Sequence, residues 1–215
     1  MPEGLRLSVH PAAASLVQQR AALRRGLRTW LDGRGLVEAA APLLLPYAGQ
    51  ETYLRPPRVA VEGLGTLWLQ TSPELPLKRL LAAGCPAVYA LGSAFRGGFE
   101  ELDVHHQPEF ELLEWYRPGT SPDDLVRDCR DLGRVAAQAL GCPEPEAGRE
   151  LGVLEACARF AQLDARPLFE DEPARFAASA RSAGLVGCRD DDDVATLLGR
   201  VLVERLEPAL AKLPG

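Results

Sequence analysis

The densest group of residues able to do chemistry lies between Thr71 and Pro118. Glu74 and Glu114 are carboxylates, and a ligand carrying two ammonium groups needs one at each end. Tyr116 follows Glu114 by two positions, so on a strand the two would face the same side, as an outward polar row also would. Ser72 is of the N-cap type, Pro73 suits the opening of a helix, and Glu74 then falls in the first turn, where the helix dipole favours an anion. Arg96 ends a run of strand character and offers a fixed guanidinium fork to a phosphate. Gly97, Gly98 and Glu100 open the polar loop that follows it, and His106 and Gln107 close that loop with groups able to contact a nucleotide or a phosphate. Phe110 presents an aromatic face for stacking, with a core position as the alternative.

These residues need elements to hold them. Residues 12–33 read as an amphipathic helix, with Leu16, Leu23, Leu27, Trp30 and Leu31 on one side, ended by Gly33 and Gly35. The apolar run 36–45 contains Pro42, which cannot donate to a ladder, so a kinked or edge strand is expected, of a kind that suits a dimer edge. Segments 58–62 and 66–70 flank Gly63 and Gly65 as a hairpin, and a helix runs from Pro73 to Ala83. Two long strands, 87–95 and 109–117, carry Arg96 at one end and Phe110, Glu114 and Tyr116 on the other arm. The loop between them is long for a compact fold, which points to binding. After Pro118 the pattern turns helical, over 122–140, 150–161, 173–183 and 191–207. Strands followed by helices give an α+β layout, a sheet-bearing part over 1–118 and a helical continuation over 119–215.

With 47% hydrophobic and 25% charged residues the chain can bury a core. No apolar stretch reaches the ~18 residues of a membrane span, and the first residues lack a secretory signal's basic-then-apolar order, so a cytoplasmic location is expected. A net charge of −6 argues against a surface broadly attractive to nucleic acid. Arg20, Arg24 and Arg28 nevertheless form a stripe at helical spacing, with Arg25 beside them, either a solvated face or a dock for an acidic partner. The 5 cysteines are widely spaced and form no CxxC pair, so they are expected to be reduced and mostly buried, without a zinc site. Asp190 to Asp193 open the last helix, where solvated, dipole-favoured acids are expected rather than a metal site.

The block Thr71-Ser72-Pro73-Glu74-Leu75-Pro76-Leu77-Lys78-Arg79-Leu80-Leu81, followed by Phe95-Arg96, His106-Gln107-Pro108-Glu109-Phe110 and Leu113-Glu114-Trp115-Tyr116-Arg117, resembles the class II aminoacyl-tRNA synthetase core of the lysyl branch. The resemblance is closest to the elongation factor P lysine ligases, truncated paralogues of lysyl-tRNA synthetase. The helix and the Pro42 segment are similar to that family's degenerate first motif. The resemblance implies an antiparallel sheet with flanking helices, ATP with Mg2+, and activation of lysine or a lysine isomer as an adenylate that is passed to a protein lysine. It implies Arg96 as the catalytic cation at the α-phosphate, with Gly97, Gly98, Glu100, His106, Gln107 and Phe110 at the nucleotide. For the amino acid it implies Ser72, Pro73 and Glu74 near the α-ammonium, and Glu114 with Tyr116 at the distal amine. An acceptor protein similar to elongation factor P is expected rather than tRNA, and a homodimer through the first motif is compatible with the pattern.

The chain also departs from the family. Gly98 stands where a glutamate thought to read the adenine amino group is usual, with Glu100 and Glu101 further along, and Gln107 replaces an asparagine. No glycine-rich third motif ending in arginine, the family's γ-phosphate clamp, is found, and the carboxylates that usually hold magnesium are not visible. The sequence therefore leaves two further readings, a catalytically silent module that kept the fold and a lysyl-tRNA synthetase fragment. An incomplete sheet with an exposed edge is expected in each case.

Overall fold

A computed structural model describes residues 12–49, 54–97, 107–145, 148, 150–170, 172–186 and 188–213. The chain divides into two compact units, the first ending at Glu144 and the second beginning at Pro145. Among the described residues no helix is long and apolar enough to cross a membrane.

In the first unit, helix α1 (Ala13–Gly33) ends in a turn where Gly35 takes φ +78°, a left-handed value that favours glycine. The apolar run after it does not form one strand. Pro42 divides it into β1 (Val37–Glu38) and β2 (Leu44–Leu45), which join different sheets. The second sheet has the order β2-β4-β3, from the hairpin β3 (Arg58–Val61) and β4 (Gly65–Leu69). The first has the order β1-β5-β6, with β5 (Val88–Phe95) parallel to β1 and antiparallel to β6 (Glu109–Tyr116). Gln70 ties the two sheets together. Its N–H donates to the Leu43 carbonyl at 2.9 Å, its carbonyl accepts from Phe95 N at 2.9 Å, and its Nε2 donates to the Ser93 carbonyl at 3.0 Å.

Helices cover β5 on both faces, which explains why Val88 to Leu91 are buried in an unbroken run. Tyr89 and Leu91 pack with Leu31 of α1 on one face, and Val88 and Ala90 pack with Leu77 of α2 (Glu74–Ala82) on the other. Pairing carries the same division to β6. Ala94, Ala90 and Val88 oppose Phe110, Glu114 and Tyr116 on the α2 face, whereas Ser93 opposes Glu111 on the α1 face.

The arginine stripe of α1 meets that second face. Arg20 and Arg24 pair with Glu111, and Arg28 pairs with Glu38, so the stripe makes a helix-to-sheet contact while its side chains stay partly open to solvent, Arg20 the most at 63% exposure. The guanidinium holds the Glu38 carboxyl below its usual range, because Arg28 hydrogen-bonds the charged form. Leu16, expected on the apolar side of α1, is 53% exposed.

Helix α3 (Pro122–Leu140) starts with a capping box, in which the Ser121 side chain accepts from Asp124 N and Asp124 accepts from Ser121 N, and stops at Gly141 with φ +68°. It lies against α1, where a Cβ on Gly26 would stand 3.2 Å from Val135 Cγ1. It also carries Asp128, fully buried and paired with both Arg34 and Arg117. The first unit thus includes α3 as well as both sheets.

The second unit is helical. Helix α4 (Val153–Ala156) runs into a π-helical turn, Cys157–Ala161, and a 3-10 turn, Arg166–Leu168, precedes α5 (Pro173–Ser182). Helix α6 (Val194–Val201) continues through a second π-helical turn, Leu202–Leu206, into α7 (Glu207–Leu210). Cys157, Phe176, Leu197, Val201 and Leu206 form its core. Asp193 caps α6 by accepting from Thr196 N, and Asp192 accepts from Arg189 N and pairs with Arg200. Asp192 and Asp193 are therefore structural, and their backbone hydrogen bonds hold them below the usual carboxylate range, while Asp190 and Asp191 are exposed. The five cysteines are free, but Cys129 and Cys142 are exposed, contrary to the expectation that they would mostly be buried.

Candidate functional site

Helix α2 begins one residue later than its sequence suggests, with Pro73 as the cap residue. Ser72 still serves its start, since its Oγ accepts from Glu74 N at 3.1 Å. The same hydroxyl donates to Glu114 Oε2 at 2.6 Å, and Tyr116 donates its phenol to Glu114 Oε1 at 2.6 Å. Both carboxylate oxygens of Glu114 thus accept from hydroxyls. Among the described residues no ammonium or guanidinium pairs with Glu114, so its charge is left for something else to neutralise.

Burial first, and then the Glu114 hydrogen bond, push the Tyr116 phenol far above its ordinary value. Tyr116 is therefore a fixed donor at any working pH. The Glu74 carboxylate, half-exposed, lies near enough to add to that shift, and it pairs with Lys78 one turn along α2. The Lys78 ammonium also stands 5.8 Å from the centre of the Tyr116 ring.

At the far end of the same β6 face, Arg96 donates from Nε to the Thr71 carbonyl at 3.0 Å and stacks its guanidinium 5.2 Å from the centre of the Phe110 ring. Thr71 is itself buried, which makes the anchor firm. The hairpin continues past Arg96 through the hydrogen bond from Arg96 N to the Pro108 carbonyl at 3.1 Å, and Gly97 turns the chain with φ +90°. Phe110 and Glu114 are four residues apart on a strand, roughly 13 Å at ~3.3 Å per residue. One face of the β5–β6 hairpin therefore carries a guanidinium and an aromatic ring at one end and a carboxylate with a phenol at the other. That arrangement can hold an anion with a flat ring and an ammonium on a single extended ligand.

Gly98, Glu100, Glu101 and His106 lie outside the described residues. Gln107 is exposed at the base of the loop. Pro73 is buried at the start of α2.

A cleft of about 160 Å³ opens beside Ser72 and Glu74 and is lined also by Tyr47, Gln70 and Thr71. Sequence reading passed over Tyr47, Gln70 and Lys78. Lys78 was within reach of it, because a lysine four residues after a first-turn glutamate is a helix pair by spacing. Gln70 carried no such signal, since its contacts run to β5 in the other sheet.

A small mixed sheet lies between α1 and α2, with Arg96 at the end of its long hairpin. The model of class II tRNA synthetases (D, K and N) matches residues 4–144, and the chain belongs to that family. Among solved structures it is similar to asparaginyl-tRNA synthetase from Pyrococcus horikoshii complexed with asparaginyl-adenylate, at 22% identity and a TM-score of 0.54. That match covers 60% of this chain and 29% of the other, so the chain spans less than a third of the length of that enzyme.

Proposed function

We propose that this protein binds lysine or a lysine isomer together with ATP, activates the amino acid as an adenylate, and passes it to a protein lysine of the elongation factor P type. The observation that carries the amino-acid part is Glu114, whose two oxygens are satisfied by the neutral hydroxyls of Ser72 and Tyr116 while its charge has no cationic partner among the described residues. A carboxylate held in this way by neutral donors is a receptor for an ammonium group. Glu74, at the start of α2, supplies the second carboxylate for the α-ammonium.

Arg96 and Phe110 suit the nucleotide. As the amino-acid carboxylate attacks the α-phosphorus, the bond to the β-phosphate oxygen breaks and pyrophosphate leaves, and the anchored Arg96 guanidinium faces the charge that builds on the α-phosphate. The acceptor amine then attacks the carbonyl carbon, AMP leaves, and the amine gives up a proton as the amide forms. Magnesium would come with the nucleotide, neutralising phosphate charge.

The choice of a protein acceptor follows the resemblance of the SPE and PEF..LEWYR blocks to the elongation factor P ligases. A tRNA acceptor is the second reading, and it draws on the family, which is that of tRNA synthetases. Lysine-dependent exchange of pyrophosphate into ATP tests the activation step. Exchange lowered about 100-fold or more by Arg96→Ala is the expected result, and absence of both exchange and lysine binding in the unaltered protein would sink the proposal. Labelled lysine offered to an elongation factor P-type protein and to tRNA separates the two acceptors.

A further inference from the structure

The lysine that this pocket meets first is one of the protein's own. Lys78 places its ammonium on the Glu74 carboxylate and 5.8 Å from the centre of the Tyr116 ring, so it touches two of the groups that would recognise a ligand cation. Tyr116 is in turn bonded to Glu114, which is bonded to Ser72, and Ser72 holds the first N–H of α2. The cation of Lys78 therefore lies at the edge of a connected cluster of Glu74, Tyr116, Glu114 and Ser72. The Glu74 and Lys78 side chains remain 43% and 53% exposed, so the pair is screened by solvent and is weakly held.

We infer that Lys78 is an internal competitor for the ligand ammonium at Glu74, a counter-ion that a cationic amino acid displaces on binding. This rests on the proposed reading of Glu74 as the ammonium partner. Displacement has two consequences for affinity. The ligand replaces an existing ion pair at Glu74 rather than meeting a bare carboxylate, and a second positive charge stays close by on a flexible stem. Both weaken binding of a cation, and the second weakens a doubly cationic ligand more than a neutral one. For an acidic ligand the sign is reversed, since Lys78 would attract it. Lys78 thus sets both the affinity for lysine and the margin between cationic and anionic amino acids.

The test is calorimetric titration of L-lysine, with L-glutamate in parallel, into the unaltered protein and into Lys78→Met and Lys78→Arg. Met keeps the helix propensity and most of the side-chain length, and circular dichroism with a thermal melt checks that each variant is folded. The expected result is lysine binding tightened about threefold to tenfold by Lys78→Met, from the loss of one exposed ion pair and one like charge. Lys78→Arg, which keeps the charge, should stay close to the unaltered protein, and the gain in Lys78→Met should shrink as salt is raised. Lysine binding by the unaltered protein that is unchanged or weaker in folded Lys78→Met overturns the inference and leaves the reading of the pocket standing. Glutamate bound in preference to lysine and lost in Lys78→Met overturns it too, by making Lys78 a ligand-binding group. If neither the unaltered protein nor Lys78→Met binds lysine, the reading of the pocket fails and the competitor falls with it. Binding that emerges only in Lys78→Met supports the inference in its strongest form.

Discussion

In the second unit the largest fully buried side chains are Cys157, Phe176, Leu197 and Val201, all apolar or nearly so. The first unit buries Leu31, Leu77, Val88 and Tyr89, and with them Gln70, Thr71 and Asp128, the buried polar and charged residues of the described structure. Burying such groups is unfavourable unless each is fully partnered, so their concentration in one unit calls for a reason. Two of the three have one in the site. Gln70 locks the end of β5 to the second sheet, and the Thr71 carbonyl anchors Arg96. The second unit centres on an apolar core with directional bonds such as Asp192 to Arg200 around it, whereas the first also buries polar groups whose directional bonds fix where a few side chains point.

The buried charge of the first unit carries the largest expected effect. Asp128→Ala leaves Arg34 and Arg117 without their shared carboxylate, and a loss of about 3–5 kcal/mol in denaturant unfolding is expected. A loss under about 1 kcal/mol would show that the buried charge is incidental. Phe176→Ala should remove about as much, roughly 3–5 kcal/mol, by opening a cavity in the second unit. Lysine affinity measured on that variant in its folded range should not change, because every candidate ligand group lies in the first unit. Glu114→Gln keeps the shape and one of the two hydroxyl contacts, since the amide nitrogen cannot accept, and removes the charge, and roughly 100-fold weaker lysine binding is expected by calorimetry. Binding that survives intact would move the ammonium elsewhere.

The smallest effect concerns pH. Asp124 is held down to about 2 from an ordinary 3.8, first by the Ser121 backbone N–H and then by the Ser121 and Arg127 side chains. A depressed carboxylate contributes stability that is present above 3.8 and is lost as pH falls toward about 2. Asp124→Asn should therefore flatten the stability profile of the protein in that window while leaving its slope near neutrality alone, as read by thermal melts at stepped pH.

Much of this was legible in the sequence. The Ser121-Pro122 start and Gly141 stop bound α3 at the expected residues, because capping is local chemistry. The α+β class and the two long strands followed from periodicity, and the Glu114 and Tyr116 spacing gave their common face. What could not be read depended on distant partners. The arginine stripe of α1 was plain as spacing, but Glu111, its partner on β6, lies 91 residues from Arg20. Likewise Asp128 reads as one more polar position on α3 until the fold brings Arg34 and Arg117 onto it. Pro42 signalled an interruption, yet nothing local says that the run on each side of it would join a different sheet. The π-helical turns at Cys157–Ala161 and Leu202–Leu206 shift the helical register by one residue without a compositional mark.

The parallel pairing of β1 with β5 also orders events in time. A chain made from its N-terminus, at ~5–20 residues per second, can close the β3–β4 hairpin as soon as Leu69 is available, but Val37 has no partner until Val88 emerges. Arg34, at the end of α1, waits longer still, since Asp128 lies 94 residues away. Helix α1 is thus made well before the elements that secure it. Until β5 and β6 arrive, Leu27, Trp30 and Leu31 form an apolar stripe without the Tyr89 and Leu91 side chains that cover it, so the nascent chain exposes an aggregation-prone surface while Glu114 and Tyr116 are still being synthesised.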